Sequence, residues 1–364
     1  MASHFWRVSL SLVLACVAVQ PLGMDGLSGQ RVEYSDHFRV YTRDGTPASM
    51  DDIVRAMEDV DAVLVGEIHT DPVGHWVEAE LFSRALELVR AGDESGALRP
   101  LALSMEMFER DAQGIVDEYL QGLITESQFK SSARPWEFYD EDYRPMVEAA
   151  KEKGVPVIAA NAPRRYVNRV SRLGKEALYD FPPQARAFLP PLPYPEPTEA
   201  YRAEWTDLMS NMTMEDQCPA PAEEEEVAEE APPHGMEMPP HGEEPAAGGM
   251  PSHMAGFMEN GLQAQTLWDA SMAYAITTFL DTHPGALVVH MVGGFHVENF
   301  TGTPEKVQYY RPGTRSLVVS MQLADDITVF DPQEHAGKGD FVILTDRSLD
   351  KNYERNCMEG GGIG

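Results

Sequence analysis

The sequence of 364 residues contains few cysteines and few basic residues for its length. Its three cysteines are too few to hold together a disulfide scaffold. Lysine and arginine total 28 against 59 aspartate and glutamate residues, which gives a formal net charge of -31. Nucleic acids and anionic membrane surfaces are bound through clusters of basic residues, and the chain has no long basic run. We therefore expect no nucleic acid partner, and a membrane only through a lipid anchor.

Much of the negative charge lies in one segment, 217–255, in which proline, glutamate, glycine and alanine dominate. The segment has no aromatic residue and cannot bury enough surface to offset the entropy of ordering, which predicts a disordered acidic insert. Its imidazole and thioether groups suit copper or the iron of haem, so metal or haem capture is one hypothesis and a solvated linker is the other. The candidate ligands are His234, Met236, Met238, His241 and His253.

The N-terminal region carries an apolar run, 8–19, directly after Arg7. This run is too short to span ~30 Å of hydrocarbon as a helix but is typical of a signal peptide, which we predict over residues 1–22. The sequence around Cys16 approximates a lipoprotein box, which makes Cys16 a candidate for lipidation. We expect an exported protein, periplasmic or anchored to the outer membrane by that lipid.

Cys218 and Cys357 lie beside irregular sequence. An oxidising compartment would permit them to pair, and two free thiols are the alternative. The segment 351–364 predicts a flexible C-terminal tail.

Six short apolar runs without polar alternation predict buried strands of a mostly parallel sheet. They lie at 62–66, 101–105, 155–159, 286–290, 316–320 and 340–344, and the last of them could close one edge. Helical periodicity at 73–91, 143–153 and 262–280 alternates with these runs, which predicts a doubly wound α/β domain over 30–350. The stretches 110–150 and 159–286 exceed a single crossover and indicate a small helical accessory lobe.

Polar side chains follow three of the predicted strands. Glu67 and His69 follow the strand at 62–66, Glu106 follows the strand at 101–105, and His296 follows the strand that begins at 286. The carboxyl ends of parallel strands meet at one edge of a sheet, where open α/β folds bind their ligands. These four side chains could form an open divalent-metal shell for hydrolysis, with Glu67 or Glu106 as the general base, or a hydrogen-bonded cluster without metal.

Three further residues are secondary candidates for the same edge. His75 lies at the start of the helix that follows His69, and Asn161 and Arg164 follow the strand at 155–159.

Several motifs resemble those of the ChaN-like haem-binding uptake proteins of the Tiki superfamily. They are VGEIH, LSMEMFERD, VPVIAANAPR, LWDASMA and VGGFHVEN, and the resemblance covers about residues 36–345 without the insert. It implies an exported, often lipid-anchored bacterial protein with an α/β core, haem as ligand, and periplasmic or outer-membrane uptake components as partners. The related Tiki proteases use paired Gly-x-x-His motifs and a glutamate, which Gly66, His69, Gly293, His296 and Glu106 match here.

Three functional hypotheses follow, and the resemblance favours the first. The first is capture of haem or iron for an acquisition system, the second is metal-dependent hydrolysis, and the third is metal scavenging by the insert. No motif indicates the haem-iron ligand. Four tyrosines in helical segments were equally eligible on sequence grounds, namely Tyr139, Tyr143, Tyr201 and Tyr274.

Overall fold

Six parallel strands form the centre of the sheet that organises the molecule. The computed structural model describes residues 34–90, 98–136, 138–211 and 252–349. The strands are β1 (Phe38–Thr42), β2 (Pro47–Ala48), β3 (Ala62–Glu67), β4 (Leu101–Glu109), β5 (Val157–Asn161), β6 (Leu287–Gly293), β7 (Ser316–Ala324) and β8 (Phe341–Asp346). Their order in the sheet is β2-β1-β8-β7-β3-β6-β4-β5, and only the pairs formed by β1 are antiparallel.

Helices connect these strands and cover the sheet. They are α1 (Met50–Met57), α2 (Pro72–Arg90), α3 (Gln113–Leu120), α4 (Glu126–Ala133), α5 (Tyr139–Asp142), α6 (Arg144–Lys153), α7 (Arg164–Leu173), α8 (Pro183–Arg186), α9 (Glu199–Asn211), α10 (Ser252–Thr282), α11 (Thr303–Tyr310) and α12 (Pro332–His335). In the part of the chain that the structure describes, none of them is long and apolar enough to cross a membrane.

Both faces of the sheet are covered by apolar helix surfaces. On one face, Val63 and Val65 of β3 share a core cluster with Val77 of α2 and Met146 of α6. On the other face, the intervening residues of β3 and β6 pack against α10 and α11. Burial on both sides explains why the central strands are continuous apolar runs.

The predicted α/β class with a mostly parallel sheet is confirmed, and the six predicted strands correspond to β3–β8. The strand predicted at 340–344 does not end the sheet, because β1 pairs with its free side. The sequence did not predict β1 or β2.

The β5 edge of the sheet is closed by a side chain. Gln113, the first residue of α3, donates from Nε2 to the carbonyl of Val157 at 2.9 Å. Its Oε1 accepts from the backbone N–H of Ala159 at 2.8 Å. The amide of Gln113 therefore takes the hydrogen bonds that a further strand would make.

Several sequence predictions concern residues outside the described ranges. These are the signal peptide over 1–22, the insert up to residue 251 and the tail over 351–364. The backbone of α10 begins at Ser252, but the side chain of His253 also lies outside the description. The individual residues concerned are Cys16, Cys218, Cys357, His234, Met236, Met238 and His241.

Candidate functional site

The carboxyl ends of β3, β4 and β6 lie side by side, which brings the predicted strand-end residues to one edge of the sheet. Glu67, the last residue of β3, is in register with Gly293, the last residue of β6. Glu106 lies near the end of β4 on the other side of β6. His296 follows β6 in a short 3-10 turn that begins at Gly294.

Glu67 is the centre of a buried hydrogen-bond network. Its Oε1 lies 2.6 Å from His69 Nδ1 and accepts from the hydroxyl of Tyr143 at 2.8 Å. Its Oε2 lies 3.0 Å from Nε2 of His75, the helical residue that the sequence marked as secondary. His75 Nδ1 in turn lies 3.1 Å from a carboxylate oxygen of Asp142, so a continuous chain of contacts links α5, α2 and β3.

The charges in this network are set by burial and by the partners of each group. Burial raises the pKa of Glu67, but the opposing effects of His75 and His69 are larger and leave it well below its usual range. Burial lowers the pKa of His75, and the charge of Glu67 with the hydrogen bond to Asp142 more than reverses this. Glu78 of α2 is fully buried, and burial together with the charge of Glu67 raises its pKa well above the usual value. These shifts favour the charged forms of Glu67 and His75 and the neutral form of Glu78.

His69 connects this interior to the surface. Its side chain is 44% exposed, whereas that of Glu67 is fully buried. Partial burial of its ring lowers the pKa of His69, but the hydrogen bond and charge of Glu67 outweigh this and raise it. The edge of its ring packs against Trp136, with ring centroids 4.8 Å apart. The sequence placed Glu67 and His69 on the same side, and the structure brings them into direct contact.

Glycine at position 293 makes room for His69. A Cβ on Gly293 would lie 2.8 Å from His69 Nε2 and 3.6 Å from Glu106 Oε2. Contacts shorter than 3.0 Å are essentially not seen for real Cβ atoms, so any other residue would displace the imidazole. The glycine of the second Gly-x-x-His motif, Gly293, therefore makes room for the histidine of the first, His69.

A second cluster lies on the α10 face of the sheet. Glu106 Oε2 accepts from the backbone N–H of Gly293 at 2.8 Å, and its Oε1 lies 3.8 Å from His296 Nε2. His296 Nδ1 lies 2.9 Å from a carboxylate oxygen of Asp269, which also accepts from the hydroxyl of Thr303. Burial lowers the pKa of His296, but Asp269 and Glu106 outweigh it and raise it to about 9. His296 therefore lies between two carboxyl groups that favour its protonated form.

The divalent-metal shell predicted from Glu67, His69, Glu106 and His296 is not supported. Within the described residues, no group of three or more His, Cys, Asp or Glu side chains is arranged to hold a metal ion. Glu67 contacts helices on one face of the sheet, whereas Glu106 contacts the cluster on the other face. Glu106 nonetheless lies close to His69, since the Cβ position of Gly293 is 2.8 Å from His69 Nε2 and 3.6 Å from Glu106 Oε2.

Two other predicted residues lie apart from the network. Asn161, at the end of β5, is buried. Arg164 is exposed at the start of α7, and its guanidinium carbon lies 5.6 Å from the centroid of the Trp136 ring. Arg164 and His69 therefore both lie next to Trp136.

Sequence reasoning missed Glu78, Asp142 and Asp269, and it named Tyr143 only as one of four candidate iron ligands. Glu78, Asp142 and Tyr143 belong to α2, α5 and the turn before α6, and Asp269 belongs to α10. Glu78 does carry a signal, because it is an acidic residue on the apolar stripe of α2, next to Val77. An ionisable residue within such a stripe is rarely left without a partner.

A known protein family matches this chain. The model of the haem-binding uptake, Tiki superfamily, ChaN family matches residues 53–307. The chain belongs to this family. The predicted resemblance is therefore confirmed, and the network around Glu67 and the cluster around His296 are features of a ChaN family member.

This ChaN family member is also similar to solved structures, and the first of them supports the fold. The structure described as cofacial heme binding to ChaN of Campylobacter jejuni matches with a TM-score of 0.57 and 13% identity, over 85% of this chain and 97% of that one. The type III effector HopBA1 matches with a TM-score of 0.41 and 12% identity, over 82% and 93% of the two chains. A Bacillus cereus protein matches with a TM-score of 0.38 and 10% identity, over 85% and 95%. No curated protein matches the chain significantly.

Proposed function

We propose that this chain binds haem at the carboxyl edge of its sheet and that His69 is the iron ligand. Membership of a haem-binding family supports haem as the ligand. The Campylobacter jejuni ChaN structure, which has the same fold, is described as binding haem. The observation that carries the assignment to His69 is an exposed imidazole whose Nδ1 is held by a buried carboxylate.

The contact with Glu67 suits His69 to this role. A metal-ligating histidine usually donates its second ring N–H to a carboxylate or carbonyl, which fixes the ring and makes the ligating nitrogen more basic. Glu67 Oε1 lies 2.6 Å from His69 Nδ1 and leaves Nε2 as the ligating atom. Trp136 lies at the side of the ring and offers an apolar surface to a porphyrin. The exposed guanidinium of Arg164 beyond Trp136 is suited to a propionate.

The tyrosines considered from sequence are less suitable. Tyr139, Tyr143 and Tyr201 are each at most 2% exposed. Burial also raises the pKa of all three hydroxyls, and a tyrosine ligates haem iron as the phenolate. Tyr274 is partly buried and lies beneath the guanidinium of Arg110.

We further propose that haem or iron is captured outside the cytoplasm, for an acquisition system with periplasmic or outer-membrane components. The apolar run 8–19 after Arg7 supports export, and Cys16 is the candidate for lipidation. Cell fractionation of the wild type and of the Cys16→Ser variant tests this part. Loss of membrane association in the variant supports a lipid anchor, and a cytoplasmic wild type contradicts export.

A haemin titration of the full chain tests the iron ligand. The Soret band should shift on binding to the wild type and to the control variant His283→Ala, which removes an exposed histidine at the end of α10. The His69→Ala variant should lose the shift or bind with a changed ligand spectrum. A His69→Ala variant that binds like the wild type overturns the assignment.

The insert requires its own control, because it holds three histidines. A triple variant, His234→Ala, His241→Ala and His253→Ala, should bind haemin as the wild type does. If this variant alone loses binding, the insert is the site of capture and the scavenging hypothesis replaces the proposal.

A further inference from the structure

A separate pocket of about 300 Å³ lies at the β5 edge of the sheet. Two strands, β6 and β4, separate β5 from β3 and from the proposed haem site. The pocket walls are mostly apolar and come from β5, from the segment after α8 and from the C-terminal half of α10. The residues that form these walls include Ile158, Phe188, Ala275 and Phe279. A volume of this size is at the lower end of the range for small-molecule sites.

Arg110 lines this pocket and has no counterion among the described residues. In the described ranges, no carboxylate lies within ion-pair distance of its guanidinium, and its Nε is buried without a hydrogen-bond partner. Its sequence neighbours Glu109 and Asp111 pair instead with Arg134, at 3.1 and 3.0 Å. The guanidinium carbon lies 5.4 Å from the centroid of the Tyr274 ring. An arginine is always protonated, so a charge is held here at an energetic cost that an anion would offset.

The other polar groups of the pocket are already engaged. Gln113 uses both atoms of its amide on the backbone of β5. Thr278 donates to the carbonyl of Tyr274, and Thr282 donates to the carbonyl of Thr278. The pocket therefore offers a ligand one free charged group and an apolar wall.

We propose that this pocket binds a monocarboxylate with an apolar body, such as a medium-chain fatty acid, through the guanidinium of Arg110. A planar guanidinium forms two parallel hydrogen bonds with a carboxylate. One arginine balances one negative charge, whereas a phosphate dianion would leave a second charge unmatched in apolar surroundings. The phenylalanine and alkyl side chains then cover the chain of the acid. This site is independent of the proposed haem site.

Calorimetric titration of the full chain tests the proposal with three probes, decanoate, decanol and acetate. Decanoate should bind at least about tenfold more tightly than decanol, since a hydrogen bond to a charged group contributes about 1.5–3 kcal/mol. Acetate, which has the charge without the apolar body, should show no measurable binding. His69→Ala should bind decanoate as the wild type does, which separates this result from the test of the haem site.

Variants of two arginines complete the test. Arg110→Gln should lose about tenfold or more in affinity for decanoate, whereas Arg134→Gln, which removes an arginine that already has partners, should match the wild type. Equal affinity of the wild type for decanoate and decanol overturns the proposal, as does full decanoate binding by Arg110→Gln. If Arg110→Gln does not fold, the comparison of the two probes on the wild type still decides.

Discussion

Replacing Glu67 by glutamine should destabilise the protein strongly, even though the two side chains have nearly the same shape. The carboxylate contacts His69, Tyr143 and His75 within 3.0 Å and is fully buried. Glutamine removes the negative charge and turns one acceptor oxygen into a donor amide. His75 then keeps only Asp142 as a partner for its charge. Removing one member of a buried ion pair costs about 3–5 kcal/mol, and we expect a loss of that size.

Urea unfolding at pH 7 measures this loss, with Glu80→Gln as the control. Glu80 lies on α2 and pairs with Arg84 at 2.7 Å, with both side chains about one-third exposed. An exposed helical pair of this kind contributes about 0.3–0.5 kcal/mol, so the control should remain close to the wild type. A Glu67→Gln variant within about 1 kcal/mol of the wild type would refute the reasoning, because the charge would then contribute little to stability.

The effect of Glu67 should also depend on pH in a defined direction. The pKa of Glu67 in the folded protein is below its ordinary value of 4.5. Its charge therefore contributes stability above pH 4.5, and this contribution is lost as the pH falls toward the lower, folded pKa. The difference between the wild type and Glu67→Gln should narrow as the pH falls below 4.5.

Two further predictions concern residues of β6, Gly293 and His290. Gly293→Ala should push the His69 ring away from Glu67 and weaken haem binding by about tenfold in the haemin titration. The control variant Gly114→Ala, which has open space around the added Cβ, should bind haemin normally. Normal binding by Gly293→Ala would contradict the close packing of His69 against Gly293. His290 is buried, and loss of hydration lowers its pKa to about 3. Below pH 6.5 the unfolded chain therefore binds a proton at this residue and the folded protein does not, so the folded protein loses stability as the pH falls. Between pH 7 and 4, the free energy of unfolding of the wild type should fall by up to about 1.4 kcal/mol per pH unit because of His290, and the His290→Leu variant should lack this loss. Urea unfolding at several pH values measures both proteins, and the same pH dependence in both would contradict the prediction.

The strands of the fold could be predicted because burial on both faces leaves an apolar run without interruption. The same reasoning fails at β1, which reads Phe-Arg-Val-Tyr-Thr and is only partly buried. It fails again at β2, which has two residues and therefore no pattern. An antiparallel strand beside the sheet is specified by its pairing with β8, and that pairing leaves no signal in the local sequence.

The edge at which the site lies could be predicted, but the partners of its residues could not. Tyr143 lies 76 positions from Glu67 in the chain, and nothing in the sequence near either residue indicates their contact. The sequence also did not predict on which face of the sheet each strand residue lies. Alternate residues of a strand face opposite sides, so a shift of one position decides whether Glu106 lies on the side of Glu67 or on that of Asp269. In the structure Glu106 contacts Gly293 and His296 rather than Glu67.

The amide of Gln113 at the β5 edge bears on how the protein behaves at high concentration. An open edge strand presents unpaired backbone groups that can pair with another molecule, and this is a common route to aggregation. The side chain of Gln113 occupies the groups of Val157 and Ala159 that an incoming strand would use. At the opposite edge, β2 has only two residues, and the first of them, Pro47, has no N–H to donate. Both ends of the sheet are thus protected against edge-to-edge growth into larger assemblies.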